Sequence, residues 1–240
     1  AAYNNSYEAS SVQAFAAAGD PSLLRVAQVD YVKPEQMQSQ EFGYRGKLSR
    51  TFTVDAAVYR NDFQDFINTQ VVLSPLYGEV GDGGLSVLAM ANGDFETWSS
   101  YTNSPAEISS WGVSIGAQTK IFGNFDLSAN YTKSKLEFEQ SLYPDFRTNW
   151  NTPEHKIKAQ FGNTQLFENF GFNVAWRYWS EYLWQASFGD GMVPETHVID
   201  AQFNLTVPKW KSVIKVGATN LGGEEYFTAF GSGFIGTQYY

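Results

Sequence analysis

Long runs of strict apolar–polar alternation constrain this chain more than any other feature. From Val198 the sequence reads Val-Ile-Asp-Ala-Gln-Phe-Asn-Leu-Thr-Val, so Ile199, Ala201, Phe203, Leu205 and Val207 share one face. Asp200, Gln202, Asn204 and Thr206 share the other, which is the period of a strand with one apolar side. Phe125–Thr132, Trp111–Lys120, Lys156–Gly162 and Phe172–Arg177 repeat the pattern. The spacing predicts nine strands, near 35–48, 51–66, 105–121, 124–139, 154–164, 170–184, 195–207, 211–221 and 233–240. Most exceed the roughly 5–6 residues of a globular strand. They suit the roughly 9–11 residues that a tilted strand needs to cross a bilayer.

The connections alternate in length. Short turns are expected at Ser49-Arg50, Phe122-Gly123, Glu168-Asn169 and Pro208-Lys209-Trp210, and long segments at 67–104, 140–153, 185–194 and 222–232, with 1–34 leading into the first strand. Residues 8–18 are expected to form one short helix, stopped by Gly19 and Pro21. Short turns on one side and long loops on the other are the habit of outer-membrane barrels. Charge follows the same division: the long segments hold 11 acids against 3 bases, a net of −8 out of the chain's −9.

Composition removes other classes. The acidic balance argues against nucleic acid, which needs a basic face. The chain has no Cys, hence no disulfide framework, thiolate metal site or cysteine nucleophile. No apolar stretch is long enough for a transmembrane helix. Gly231-Ser232-Gly233-Phe234-Ile235-Gly236 fits a dinucleotide-binding pattern, but the chain ends four residues later, with no room for the helix that the motif requires. The two histidines, His155 and His197, have no clustered ligands in sequence, and His197 and Asp200 point to opposite faces. Two glycosylation sequons, at Asn130 and Asn204, fall in mid-strand. No catalytic residue, metal ligand or cofactor is expected.

The fold expected is therefore all-β: an antiparallel transmembrane β-barrel. Nine is an odd count, whereas single-chain bacterial barrels have an even one. Residues 1–240 are accordingly expected to be the C-terminal portion of a larger barrel, with N-terminal strands and a plug domain outside this sequence. Two alternatives stand beside this. A strand within 1–34 would make a small complete outer-membrane barrel, enzyme or adhesin. A second sheet over the apolar face would make a soluble β-sandwich binding module.

Several segments resemble the barrel of TonB-dependent outer-membrane receptors. Lys33-Pro34-Glu35 with Gln40-Glu41-Phe42-Gly43-Tyr44-Arg45-Gly46 is similar to one strand of that family, and Val58-Tyr59-Arg60-Asn61-Asp62-Phe63-Gln64-Asp65-Phe66-Ile67 to a strand end. Asn151-Thr152-Pro153-Glu154-His155-Lys156, Val216-Gly217-Ala218-Thr219-Asn220-Leu221 with Tyr226, and Gly233 to Tyr240 resemble later segments in the same order. The resemblance implies a barrel of about 22 strands around a plug. It also implies energised import of a scarce ligand, with TonB engaged through the missing N-terminal part. The expected surroundings are outer-membrane lipid, a small-molecule or oligomeric ligand, and a surface-lipoprotein partner. No enzymatic activity is implied.

The aromatics Trp98, Tyr101, Tyr143, Phe146, Trp150, Tyr182, Trp184 and Phe188 lie in or beside the long loops. They suit an aromatic girdle at the membrane interface, as Tyr182 and Trp184 near a strand end would. A ligand platform is the second reading, for which Trp98 and Trp150 are the better candidates. Arg45, Lys156, Lys158 and Arg177, with Glu181, fall on polar faces, either as a lumen ion network or as ligand contacts. The candidate ligand-binding set is Trp98, Tyr101, Trp150, Trp184, Arg177 and Glu181.

Overall fold

The computed structural model describes residues 5–186 and 189–240. Phe188, one of the loop aromatics, lies outside the described residues. The chain divides into two compact units, one of residues 1–38, 62–109 and 137–149, the other of 39–61, 110–136 and 150–240.

The second unit is built on a nine-stranded sheet: β1 (Gln36–Lys47), β2 (Thr53–Gln64), β3 (Ile108–Ile121), β4 (Phe125–Glu137), β5 (His155–Phe167), β6 (Phe170–Trp179), β7 (Thr196–Val207), β8 (Ser212–Thr219) and β9 (Gln238–Tyr239). Each strand pairs with the next in sequence, giving an up-and-down meander. All nine correspond to strands that alternation predicts. Two bounds move. The strand expected over 170–184 ends at Trp179, and Tyr182–Ala186 pairs instead with Gly189–Val193 in a separate hairpin. The strand expected over 233–240 is reduced to β9, which pairs through Ala218↔Tyr239 and Thr219↔Gln238.

Register lines up each face across the sheet. Ala129, Ala159, Trp176 and Ile199 form one row across β4 to β7, and Ser128, Gln160, Ala175 and Asp200 form the adjacent row on the opposite face. The apolar face is not covered by a second sheet among the described residues of this unit. Val174 is 37% exposed, Ile199 45%, Phe203 50% and Val216 59%. That exposure rules out the sandwich, whose core would be this face. It is what a wall facing lipid requires.

Aromatic rings border the band at both ends. Near the short turns, Phe125 and Phe161 stack at 5.4 Å, Phe161 meets Phe172 at 5.7 Å, and Phe170 stacks on Phe203 at 5.8 Å. Toward the long loops, His197 lies 5.9 Å from Trp176 and 4.8 Å from Tyr178, and Tyr131 donates to or accepts from His155 at 2.8 Å. These rings lie within the strands, and the Tyr182 hydroxyl donates to the Thr228 carbonyl at 2.7 Å.

Local chemistry explains the turns. In the turn between β3 and β4, Phe122 and Gly123 both have positive φ, 47° and 89°, the backbone hand that matches strand twist. Within the sheet, Gly112 lets the Tyr59 ring lie against the backbone, where a Cβ would collide with it.

The first unit was expected to be a long loop and a lead-in, but it has its own fold. Ile67–Pro75 and Phe95–Asn103 pair in register from Ile67↔Asn103 to Pro75↔Phe95. Helix α1 (Ala9–Ala18) forms where predicted and stops at Gly19, whose φ is 69°. A second helix, α2 (Leu85–Asn92), fills the hairpin's connection. Tyr7–Glu8 pairs with Leu73 and Val72, and Phe146–Arg147 with Gln70 and Thr69. Tyr7, Val12, Phe15, Leu73 and Met90 make a buried core.

Candidate functional site

In the second unit, three connections on the long-loop side are tied together by specific bonds. Asn151 and Gln185 exchange two hydrogen bonds, Asn151 Nδ2 donating to the Gln185 carbonyl at 2.9 Å and the Gln185 N–H donating to Asn151 Oδ1 at 2.7 Å. This clamp joins the segment carrying Trp150 to the hairpin carrying Trp184, and both indoles are half-buried. Trp184 pairs across the hairpin with Gly191, which has no side chain because the Phe230 ring occupies that space. Tyr182 anchors the same hairpin to Thr228, and burial raises its hydroxyl pKa. Trp150 and Trp184 therefore belong to one loop cluster.

Arg177 sits on the polar face of β6, with Asp200 on β7. Its guanidinium reaches the Asp200 carboxylate at 2.9 Å and 3.1 Å. The same carboxylate accepts the Asn220 N–H at 3.1 Å. Asn220 is almost fully buried and donates to the Glu224 carbonyl at 2.8 Å, while Thr237 Oγ1 donates to the Asn220 carbonyl at 2.7 Å. Arg177 thus anchors a wall-to-loop network. Glu181 is exposed in the link between β6 and the outer hairpin.

Trp98 and Tyr101 lie in the first unit, on the hairpin strand Phe95–Asn103, opposite Val72 and Thr69. They are 53% and 67% exposed. Three residues apart on a strand, they face opposite sides. The six candidate residues are therefore distributed over both units: Trp150 and Trp184 share a cluster, and Trp98 and Tyr101 stand apart from each other.

Sequence reasoning missed a cavity of about 890 Å³ whose described lining residues all belong to the first unit. Its walls include Glu8, Arg25, Asp30, Lys33, Asp65 and Tyr143. Asp145 organises its rim. The Asp145 carboxylate accepts the Ser10 N–H at 2.7 Å and the Ser10 hydroxyl at 2.6 Å, capping α1 from 135 residues away. Its carbonyl accepts the Val71 N–H at 3.0 Å. Asn103 closes the base, bonding both Lys33 backbone groups and the Asp65 carbonyl. Burial and the neighbouring Asp145 charge raise the Glu8 pKa, against a lowering pull from Arg25. Among the described residues, no group of three acidic or histidine side chains is placed to hold a metal. In the sequence, the residues leading into this cavity carry both signs at Arg25, Asp30 and Lys33.

Comparison with known proteins agrees with this architecture. No curated protein matches the chain in sequence. Among solved structures, the FrpB iron transporter from Neisseria meningitidis aligns with a TM-score of 0.59 at 13% identity, covering 88% of this chain and 31% of that one. The siderophore receptor PiuA from Acinetobacter baumannii gives 0.57 at 18% identity, covering 88% and 28%. The copper transporter OprC gives 0.58 at 16%, covering 82% and 27%. This chain thus spans less than a third of each, and the likeness is one of fold. The sequence itself matches the family described as TonB dependent receptor-like, beta-barrel over residues 1–221. The chain belongs to the TonB-dependent receptor β-barrel family, whose members lie in the Gram-negative outer membrane.

Proposed function

We propose that residues 1–240 form the C-terminal portion of a larger barrel that imports a scarce ligand across the outer membrane with energy delivered through TonB. The observation that carries this reading is the sheet whose apolar face is uncovered and whose edges, β1 and β9, are unpaired among the described residues. Lipid cannot satisfy the open backbone groups of a strand edge, so such a sheet needs further strands to close. A family barrel of about 22 strands would supply them. In this reading the chain contributes wall, lumen lining and outer loops. A plug and a TonB-contacting segment belong to the N-terminal part of the receptor.

Trp98, Tyr101, Trp150, Trp184, Arg177 and Glu181 are the candidate ligand contacts. The Asn151–Gln185 clamp supports pairing Trp150 with Trp184. The acidic long loops disfavour a strongly anionic ligand, because like charge repels approach. A surface lipoprotein is a compatible partner on the outer side.

Two measurements test the proposal. The denatured mass of the native receptor taken from its membrane should be several times 26.9 kDa. Spent medium from parent, receptor-deletion and TonB-deletion cells should show a common solute that only the parent removes. A native mass near that of this chain, or no solute shared by the two deletions, would refute it.

A further inference from the structure

We infer that the cavity of the first unit is a capture site for a short zwitterionic peptide with a net positive charge. The inference rests on the transporter reading and names its substrate class. The cavity volume, about 890 Å³, lies within the roughly 300–1,000 Å³ of small-ligand sites. Its lining is mixed: Ser10, Ser104 and Asn103 sit beside the charged groups, and Leu23, Val26 and Leu142 supply apolar wall.

The charges are the stronger clue. Glu8, Asp30, Asp65 and Asp145 line the cavity against Arg25 and Lys33, an excess of two negative charges. Asp145 is committed to Ser10. Among the described residues, the side chains of Glu8, Asp30, Asp65, Arg25 and Lys33 make no hydrogen bond or ion pair. Unpaired groups of both signs around one cavity match a ligand that carries both signs. A peptide ammonium would meet Glu8, and its terminal carboxylate would meet Arg25. A ligand cation would also relieve the cost of holding Glu8 half-buried beside Asp145. A neutral oligosaccharide would form no ion pair with these groups, of which Arg25, Asp30 and Lys33 are exposed to water and Glu8 and Asp65 are half-buried.

The inference is tested on the full-length receptor in detergent. The probes are an equimolar library of tetrapeptides with one lysine and free termini, the same library amidated at its C-terminus, and neutral maltodextrins. Retained species are measured by mass spectrometry. Wild type should retain free peptides and not maltodextrins. Glu8→Gln should reduce peptide retention about tenfold or more, the scale of one charged hydrogen bond. Arg25→Gln should weaken the free library and leave the amidated one unchanged. Neither side chain is bonded, so both variants should reach the wild-type fold, checked by wild-type mobility on unheated gels. Retention of no peptide, equal retention by wild type and Glu8→Gln, or retention of maltodextrins instead would overturn the site. TonB-dependent removal of a solute that Glu8→Gln leaves intact would overturn the site and leave the transporter reading standing.

Discussion

Moving an introduced lysine by one residue along β6 should remove most of its effect on stability. Val174 is the fifth of ten residues in this strand and lies opposite Phe161 and Ala201 on the uncovered apolar face. Ala175 is its neighbour on the other face, opposite Gln160 and Asp200. Val174→Lys would place an ammonium in hydrocarbon near mid-strand, at a cost of about 2–4 kcal/mol. At about 1.4 kcal/mol per decade, that is roughly 30- to 800-fold in the folding equilibrium. Ala175→Lys would place the same ammonium in the aqueous lumen directly across from the Asp200 carboxylate. An opposite-charge pair at that position is worth about 0.2–1 kcal/mol, less whatever repulsion the nearby Arg177 adds. The second variant should therefore stay within about 1 kcal/mol of wild type. The assay is urea titration of the full-length receptor in lipid vesicles, followed by gel mobility of unheated samples. Equal losses in the two variants, or a larger loss for Ala175→Lys, would refute the assignment of faces.

The remaining predictions concern the first unit. Asp145→Ala leaves the Ser10 N–H uncapped and should cost about 2–3 kcal/mol, the range of a charge-assisted bond plus a cap; amide exchange across Ala9–Ala18 should rise with no change in β4–β7. Tyr7→Phe removes the hydroxyl that accepts the Gly81 N–H and bonds Ser86, so local unfolding measured by proteolysis should become easier by about 1–3 kcal/mol. Glu8 has a pKa raised above its ordinary 4.5, so its protonated form suits the fold better and the stability it gives is full below that value and lost as pH rises through the folded pKa. Glu8→Gln should then raise the unit's stability at neutral pH and change nothing below pH 4.5, as read by protease resistance against pH.

The barrel wall was legible because each of its strands meets two uniform surroundings. Ile157, Ala159 and Phe161 face one and Lys156, Lys158 and Gln160 the other, so the pattern survives without reference to any particular partner. The loop hairpin broke that rule. Val72 and Leu73 are adjacent and both buried, because Ile67–Pro75 is covered on both faces. On the opposing strand the buried residues are polar, Ser100 and Thr102, while Trp98 and Tyr101 are exposed, so the usual polarity is inverted. Helix α2 has only eight residues, barely two turns of periodicity.

The same contrast says where recognition should lie. A wall between lipid and water needs residue classes, and classes are readable from local sequence. The first unit is held instead by named partners far apart in the chain: Ser10 with Asp145 across 135 residues, Tyr7 with Ser86 across 79. Such bonds fix side chains that have no solvent-like substitute, so a single change is felt at one place rather than averaged over a face. A receptor that must distinguish one scarce solute from many needs that kind of fixed geometry. In the proposed import reading, the segment that alternation could not read is therefore the one that would encode ligand choice, and the wall strands would serve any ligand alike.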